Sequence, residues 1–381
     1  MRIGVPKEIK IAERRVAMTP NGVSDAVTAG HVVLIQRGAG VGSGFADSDY
    51  EAAGAALIDS AAEIFGMAEM IVKVKEPLRD EAEMLRAGQI LFSYLHLAAD
   101  PELARALGES GAICVAYETV EDGFGRLPLL TPMSEIAGRL AAQAAAQCLL
   151  SPAGGRGVLM GGVPGTPPAR GLVIGAGVAG TNAALVAAGM RAEVCVFDID
   201  AHRLREAEAL LGGRVTTRIS SPAAIASLLP GVDFVIGAVL VPGARAPVVI
   251  SREQLATMKA GAVLVDVSVD QGGCFETTRP TTHESPTYVV DGVCHHCVAN
   301  IPAAAPITST IALTNATLPY VLRIASLGLE EAARQDAGLV LGINVVGDRI
   351  THPALAASLG APCVDGLKAL RLAGPSMSIA S

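Results

Sequence analysis

Tryptophan is absent from the sequence, aromatic residues are rare, and charged residues are few. Only 17% of the 381 residues are Asp, Glu, Lys or Arg, whereas 51% are hydrophobic. A disordered chain has the opposite balance, so we expect a folded chain that buries much of its length. No block of basic residues is present, and the formal net charge is −8. Nucleic acid is therefore not expected as a partner, because proteins that bind it carry basic patches.

Cysteine is too scattered to form a disulfide framework. The seven cysteines lie at positions 114, 148, 195, 274, 294, 297 and 363, without the spacing of small secreted domains. Residues 294–297 read CHHC, which looks like a metal or redox element. A zinc site would need further ligands at a suitable spacing, and a redox pair would lie at a helix start after a strand. We therefore expect an ordinary structural segment and no bound metal.

Neither a secretory signal nor a membrane span is expected. Charged residues interrupt the apolar start of the chain within its first ten positions, too early for a signal. Residues 171–190 and 292–322 carry no charge when histidine is counted as neutral. The first stretch belongs to the glycine motif described next. The second contains prolines among polar residues, unlike the steadily apolar run of about 20 residues in a spanning helix, so we predict a cytoplasmic protein without a membrane partner.

The central motif of the chain is a strand, glycine turn, helix and strand unit. The turn GAGVAG begins at Gly175, and the second apolar run ends at Asp198. In such a unit Gly175 permits the tight turn, Gly177 lets a pyrophosphate approach the backbone, and Gly180 lets the helix pack closely on the strand. Asp198 follows near the expected spacing of about 20 residues and would bind the adenine ribose. The motif therefore predicts a dinucleotide site.

Alternating apolar runs and helix-like segments predict a second α/β domain beside this one, and the length allows two domains of ordinary size. Residues 1–128 contain no phosphate-type glycine loop, and the tail from about residue 307 to 381 returns to complete their domain. Residues 129–306 form the dinucleotide domain, and helices predicted at 133–150 and 309–327 cross between the two. We predict an α/β fold of two Rossmann-like domains with parallel sheets, joined by long crossing helices around a central cleft.

Individual elements follow from the same patterns. Thr19 followed by Pro20 predicts a helix start. Strands are predicted at 2–5, 31–35, 70–74, 90–95 and 112–117 in the first domain, and at 172–174, 194–197, 234–236, 263–267 and 288–290 in the second. The order of the strands in the second sheet does not follow from the sequence.

Long motifs from the first residue to about residue 360 resemble those of the alanine dehydrogenases, in the alanine dehydrogenase/NAD(P) transhydrogenase alpha-subunit family. They include MRIGVPKEIK, ERRVAMTP, KVKEP, SYLHLA, LPLLTPMSEIAGRLA, VDVSVDQGGCFETTRPTTH and STIALTNATLPY. Uninterrupted motifs of this length are highly specific. The resemblance implies NAD-dependent oxidative deamination of L-alanine to pyruvate and ammonia, and the reverse reductive amination, by a homohexamer.

The resemblance also implies the site residues. It assigns the substrate carboxylate to Arg15 and Lys75, and the proton chemistry to His96 and Asp270. Together with the glycine motif, it places NAD among Ser134, Gly175, Gly177, Val178, Gly180, Asp198, Arg203, Ser220, Val239, Leu240, Val267, Ser268, Val269, Asp270, Arg279, Val298, Ala299, Asn300 and Ile301.

One segment departs from the family pattern. Alanine dehydrogenases usually read close to ANMPGAVPRTST where residues 299–310 read ANIPAAAPITST. Ile301, Ala303 and Ile307 thus replace a methionine, a glycine and an arginine. The first two changes bear on contacts of this loop with nicotinamide. The apolar residue at position 307 predicts a buried side chain rather than a loss of catalysis.

The residue types suit this reaction. Amino-acid oxidation requires a hydride acceptor at Cα, a cationic clamp on the carboxylate and groups that move protons. Arg15 can bond a carboxylate at two points and Lys75 adds a point charge. His96 follows an apolar strand, and a histidine exchanges protons near neutral pH. Asp270 follows a strand at the edge where open α/β sheets bind ligands.

Two other functions remain as alternatives. The soluble NAD-binding component of a proton-translocating transhydrogenase shares this fold, but it provides no use for His96 with Asp270 and predicts a membrane partner. A non-catalytic NAD-binding assembly protein would keep the glycine motif and would tolerate loss of Arg15 and Lys75.

Overall fold

The computed structural model describes residues 1–239 and 246–373. The chain forms two compact units, Met1–Pro132 with Ala305–Ser381, and Met133–Ala304. Each unit is built on its own β-sheet with helices packed against it. The prediction of an α/β fold with two sheet-based domains is therefore confirmed.

The strands, in chain order, are β1 (Arg2–Val5), β2 (Val32–Gln36), β3 (Ala56–Ile58), β4 (Met70–Val72), β5 (Ile90–Ser93), β6 (Ile113–Ala116), β7 (Arg170–Ile174), β8 (Glu193–Asp198), β9 (Thr216–Ile219), β10 (Phe234–Gly237), β11 (Val263–Asp266), β12 (Thr287–Val290), β13 (Val293–His296), β14 (Ile343–Val346) and β15 (Arg349–Ile350). The α-helices are α1 (Pro20–Thr28), α2 (Asp47–Ala52), α3 (Ala61–Met67), α4 (Arg79–Ala82), α5 (Pro101–Glu109), α6 (Thr131–Cys148), α7 (Val178–Gly189), α8 (Ala201–Leu211), α9 (Pro222–Leu228), α10 (Arg252–Leu255), α11 (Pro306–Leu327), α12 (Leu329–Gln335), α13 (Ala337–Gly342), α14 (Pro353–Leu359) and α15 (Gly366–Ala373).

The sheet of the first unit has the order β15-β14-β6-β5-β4-β1-β2-β3. Strands β1 to β6 pair in parallel, whereas β14 pairs antiparallel with both β6 and β15. The central strands β1, β4, β5 and β6 are almost entirely buried, which is why they read as continuous apolar runs. Because β4, β5 and β6 are parallel neighbours, their carboxyl ends lie side by side.

Capping residues set the starts of two helices in this unit. The side chain of Thr19 accepts the N–H of Gly22, and Pro20 opens α1. Asp100 accepts the N–H of Leu103 in the same way at the start of α5. Proline is tolerated in a first turn because the N–H groups there have no partner within the helix. The predicted helix start at residues 19–20 is confirmed.

The sheet of the second unit has the order β12-β13-β11-β10-β7-β8-β9. Its pairs are parallel except for the antiparallel pair of β12 with β13. From β9 to β13 this is the order of dinucleotide-binding folds, in which ligands bind where the strand order reverses, here between β7 and β10. Helices α6 and α7 pack closely, since a Cβ at Gly138 would lie 2.0 Å from the carbonyl oxygen of Ala179.

Several strands were not predicted from the sequence. Strand β9 reads TTRI and is mostly exposed, so it lacks an apolar pattern. Strand β13 reads VCHH, and two histidines conceal its buried character. Strands β14 and β15, which add antiparallel pairs at one edge of the first sheet, were likewise not predicted. Strand β12 was predicted at 288–290, but its antiparallel pairing with β13 was not. None of the helices in the described part of the chain is long and apolar enough to cross a membrane.

Candidate active site

Three candidate site residues follow neighbouring strands of the first unit. Lys75 follows β4, His96 follows β5 and Glu118 follows β6, and these strands are parallel neighbours. Lys75 is buried, with 5% of its surface exposed, whereas His96 is partly exposed. Since open α/β sheets bind ligands at the carboxyl ends of their strands, the topology places Lys75 and His96 at a suitable edge.

His96 is held in an unusual backbone conformation. Its φ is 50°, a left-handed conformation that costs a non-glycine residue about 1–2 kcal/mol. Oε1 of Glu118 accepts the N–H groups of His96 at 2.6 Å and Leu95 at 3.1 Å, and lies 4.0 Å from Nδ1 of His96. The imidazole stacks on the ring of Tyr94, with 6.0 Å between centroids. Glu118 therefore holds the backbone of the His96 turn, and the imidazole lies beside the ring of Tyr94.

A carboxylate lies between two lysines beside this histidine. Oε2 of Glu76 is 3.6 Å from Nζ of Lys75, and Oε1 bonds the ammonium of Lys10. Burial raises the pKa of Glu76, but the charges of Lys75, His96 and Lys10 outweigh burial and hold that pKa below its ordinary value. Glu76 is therefore an anion within a cationic cluster.

Arg15 is oriented by a neighbouring acid. It is buried, with 2% of its surface exposed, and its Nε and Nη2 donate to the two carboxylate oxygens of Glu13 at 2.7 and 2.5 Å. Burial lowers the pKa of Arg15, yet the hydrogen bonds to Glu13 raise it above the ordinary value. The guanidinium thus makes with Glu13 the two-point bond that we expected it to make with the substrate.

A buried ion cluster supports the segment after β4 that carries Lys75. Nζ of Lys73 lies 3.2 Å from Oε2 of Glu8 and 2.7 Å from Oε1 of Glu81. Oε1 of Glu8 also accepts the N–H of Val74 at 2.7 Å. Removing one partner of a buried ion pair costs about 3–5 kcal/mol. The segment after β1 is therefore firmly tied to the segment after β4.

The glycine turn of the second unit fits a dinucleotide. Gly175 has a φ of 103°, and a Cβ at Gly180 would lie 1.7 Å from the carbonyl oxygen of Gly175, so the fold itself requires both glycines. A Cβ at Gly177, in contrast, would meet no described atom within 4 Å. Gly177 is the N-cap of α7, and the N-terminus of this helix has no side-chain cap among the described residues. Free space beside an uncapped helix N-terminus suits the pyrophosphate of NAD.

Asp198 ends β8 and anchors this turn. Its Oδ2 accepts the N–H of Ala176 at 2.7 Å, and its Oδ1 accepts that of Asp200 at 2.9 Å. An ionised carboxylate offers about four acceptor positions, which leaves capacity for ribose hydroxyl groups. The N–H of Ser220 donates to the carbonyl oxygen of Asp198 at 2.8 Å, so the structure brings these two predicted residues together. Arg203 lies exposed on α8.

A second group of predicted residues adjoins the end of β11. The hydroxyl of Ser268 donates to the carbonyl oxygen of Val239 at 2.8 Å. Oδ2 of Asp270, which is exposed, accepts the N–H of Asn300 at 3.2 Å. The structure thereby joins the predicted segments 267–270 and 298–301. Leu240 lies outside the described residues.

A buried acid anchors the loop that carries Asp270. Asp266 is fully buried and accepts the N–H groups of Ser268 at 2.8 Å and Cys274 at 2.9 Å, and the hydroxyl of Thr278 at 2.6 Å. Burial raises the pKa of Asp266, and these hydrogen bonds only partly offset that effect. The loop is therefore rigidly tied to the end of β11.

Other predicted cofactor residues occupy different places in the second unit. The guanidinium of Arg279 lies over the ring of Tyr288, 4.1 Å from its centroid. Ser134 lies half-buried in α6. Val298 and Ile301 are buried in a cluster with Ala137, which also lies in α6.

The three departures from the family pattern differ in their environment. Ile301 and Ala303 are each only 5% exposed. Ile307 is 54% exposed, so the prediction of a buried side chain at 307 is wrong for this chain. The buried face of α11 begins at Ser309 and Thr310, and Ile307 precedes it in the first turn.

The CHHC segment is part of a sheet. Residues 293–296 form β13, and His295 bonds the hydroxyl of Thr277 at 2.7 Å and the carbonyl oxygen of Val293 at 2.9 Å. Within residues 1–239 and 246–373, no group of three or more His, Cys, Asp or Glu side chains is placed to hold a metal ion.

Three carboxylates of the candidate site were not predicted. Glu13 lies two residues before Arg15, Glu76 follows Lys75, and Glu118 follows a buried strand just as His96 does. The available signal was an acidic residue directly beside a motif cation or directly after an apolar run. That signal is weak, because most such residues are solvated.

The strand order of the second unit, the glycine turn with open space at Gly177, and the acid at the end of β8 define a dinucleotide-binding protein. The sequence profile described as "Alanine dehydrogenase/PNT, N-terminal domain" matches residues 4–137, and that described as "Alanine dehydrogenase/PNT, C-terminal domain" matches residues 141–353. The chain belongs to the alanine dehydrogenase/PNT family.

Individual relatives agree with this assignment. The alanine dehydrogenase of Mycolicibacterium smegmatis is 50% identical over 370 residues, which cover 97% of this chain and 100% of that protein. A solved structure named L-alanine dehydrogenase superposes with a TM-score of 0.89 at 50% identity, covering 94% of this chain and 99% of that one. A transhydrogenase structure from Sinorhizobium meliloti gives a TM-score of 0.77 at 25% identity, covering 93% and 100%. The predicted resemblance to alanine dehydrogenases is confirmed.

Proposed function

We propose that this protein catalyses the NAD-dependent oxidative deamination of L-alanine to pyruvate and ammonia, and the reverse reductive amination. The observation that carries the proposal is the similarity to alanine dehydrogenases at 50% identity and a TM-score of 0.89. The transhydrogenase alternative is more distant, at 25% identity and 0.77. In this proposal residues 1–128 and 307–381 bind the substrate, and residues 129–306 bind NAD.

NAD, when bound, supplies the acceptor for the hydride that leaves Cα of alanine. The chain supplies the binding groups. Gly177 and the first turn of α7 bind the pyrophosphate, and Asp198 accepts the ribose hydroxyl groups and disfavours the additional phosphate of NADP. The other residues proposed to hold NAD are Ser134, Gly175, Val178, Gly180, Arg203, Ser220, Val239, Leu240, Val267, Ser268, Val269, Asp270, Arg279, Val298, Ala299, Asn300 and Ile301.

Arg15 and Lys75 bind the substrate carboxylate. Both cations are buried, so water screens their charges less than it would at the surface. Glu13 keeps the guanidinium of Arg15 in one orientation. A preoriented cation forms stronger and more specific bonds to a carboxylate.

His96 and Asp270 carry the proton chemistry. His96 takes and returns protons at the substrate nitrogen and at the attacking water. Glu118 accepts its backbone N–H, and its ring stacks on that of Tyr94. Asp270 only accepts hydrogen bonds when ionised, and in that form it stabilises the cationic imine and orients the water. Both roles rest on the motifs that these residues occupy.

We also infer, from the family resemblance, a cytoplasmic homohexamer. Size-exclusion chromatography with light scattering tests the hexamer, and a monomer in solution would contradict it.

The buried cations argue against the non-catalytic alternative. A protein that only binds NAD would not need Arg15 and Lys75 as cations, and burying a charge is costly.

The experiment that tests the function follows NADH absorbance after L-alanine is added to the protein with NAD, beside glycine, L-serine and L-glutamate. We expect the fastest reduction with L-alanine. A protein that binds NAD but reduces it with none of these amino acids would support the non-catalytic alternative.

A further inference from the structure

We propose that Lys10 is a positioning residue for substrate binding. By holding Glu76, it keeps Lys75 available for the substrate carboxylate. This inference rests on the proposed function, because it assumes that Lys75 binds that carboxylate.

The geometry places Glu76 in competition with the substrate. Its Oε2 lies 3.6 Å from Nζ of Lys75, slightly too far for a hydrogen bond. This oxygen is buried and has no hydrogen-bond partner within the described part of the chain. An unsatisfied buried oxygen is unfavourable, and a small rotation of Glu76 would let it bond Lys75. The bond from Lys10 to Oε1 opposes that rotation.

The charges lead to the same conclusion. Lys10 and Lys75 flank a single carboxylate, that of Glu76, so the three groups together carry one net positive charge. Removing Lys10 would leave Lys75 and Glu76 as a neutral pair, which attracts an anionic substrate less. The Lys10 side chain is 38% exposed, and water screens a pair of this exposure, so the expected change in substrate affinity is about two- to fivefold.

A purely structural role for Lys10 is the competing explanation. Its carbonyl oxygen accepts the N–H of Glu13 at 3.0 Å, and Glu13 in turn holds Arg15. A displaced Lys10 turn would therefore disturb Arg15 as well. These two explanations differ in one respect: only the charge mechanism requires the carboxylate of Glu76.

The test is a double-mutant cycle on the intact protein. Steady-state KM and kcat for pyruvate are measured, at saturating NADH and ammonium, for wild type, Lys10→Met, Glu76→Gln and the double variant. Lys10→Met should raise the KM for pyruvate about two- to fivefold with little change in kcat. In the Glu76→Gln background, where no carboxylate competes for Lys75, Lys10→Met should raise this KM clearly less than it does in the wild-type background. Lys10→Arg should retain the wild-type KM, and Lys7→Met, an exposed neighbour, is the matched control.

Two results would overturn the proposal. One is an unchanged KM in Lys10→Met, and the other is an equal increase in both backgrounds, which would assign Lys10 a structural role. If Lys10→Met does not fold, Lys10→Gln replaces it, since it retains a hydrogen-bond donor without the charge. A wild-type protein without alanine-dependent NAD reduction would instead overturn the proposed function, before any variant is compared.

Discussion

Replacing Gly177 with alanine separates folding from cofactor binding. At this position the backbone φ is −73°, which alanine adopts readily, and a Cβ would meet no described atom within 4 Å. Alanine also restricts the unfolded chain, so the folded protein should gain about 0.4–1 kcal/mol. The same methyl group would occupy the space that the pyrophosphate needs. We therefore expect equal or slightly higher stability together with weaker NAD binding.

Gly180→Ala is the matched comparison. There the Cβ would lie 1.7 Å from the carbonyl oxygen of Gly175, so α7 must move away from β7. A forced displacement of this kind in a packed unit costs about 1–3 kcal/mol. Gly180→Ala should therefore lower the melting temperature, whereas Gly177→Ala should not.

Both variants can be measured with two assays. Thermal unfolding gives the melting temperature, and NADH fluorescence titration gives the dissociation constant. We expect Gly177→Ala to weaken NADH binding at least about tenfold, or about 1.4 kcal/mol, with no loss in melting temperature. Wild-type NADH affinity in Gly177→Ala would refute the assignment of this glycine to the pyrophosphate.

Further predictions concern four acidic residues. Asp270→Asn should lower turnover by about a hundredfold or more with a much smaller change in NADH affinity, and retained turnover would contradict its role. Asp198→Ala should weaken NAD binding more than NADP binding, as measured by paired titrations; an equal loss for both would contradict its contact with the ribose. Glu118→Ala leaves the N–H groups of the His96 turn without their carboxylate, so it should cost about 1–3 kcal/mol of stability and also lower kcat. The folded-state pKa of Glu76 lies below its ordinary value, so its ionisation stabilises the fold at pH values above that ordinary pKa, and this contribution is lost as the pH falls through the folded pKa. The difference in melting temperature between wild type and Glu76→Gln should therefore narrow in acid.

The most buried parts of the fold were predictable from the sequence. Strands β4, β5 and β6 are buried on both faces, and such strands appear as continuous apolar runs. The glycine turn was predictable because a φ of 103° at Gly175 restricts the residue type. Strand β9 was not predictable, since an exposed edge strand needs no apolar residues. Strand order depends on pairing between segments distant in sequence, and no local pattern records it.

The candidate site was predictable only where a residue lies in a motif. Lys75 and His96 were identified in this way. The role of Glu118 depends on its N–H donors 22 and 23 positions away, and the left-handed backbone of His96 has no signature in residue type. Residue type can also mislead. The apolar side chain of Ile307 suggested burial, yet it is 54% exposed.

The transfer of deuterium from alanine to NAD tests the central claim most directly. The protein is incubated with NAD and L-alanine that carries deuterium at Cα, and the products are analysed by mass spectrometry. The account predicts that the deuterium appears in NADH, and that NADH, pyruvate and ammonia form in equal amounts. NADH without deuterium, or no NADH at all from a protein shown to bind NAD, would contradict it.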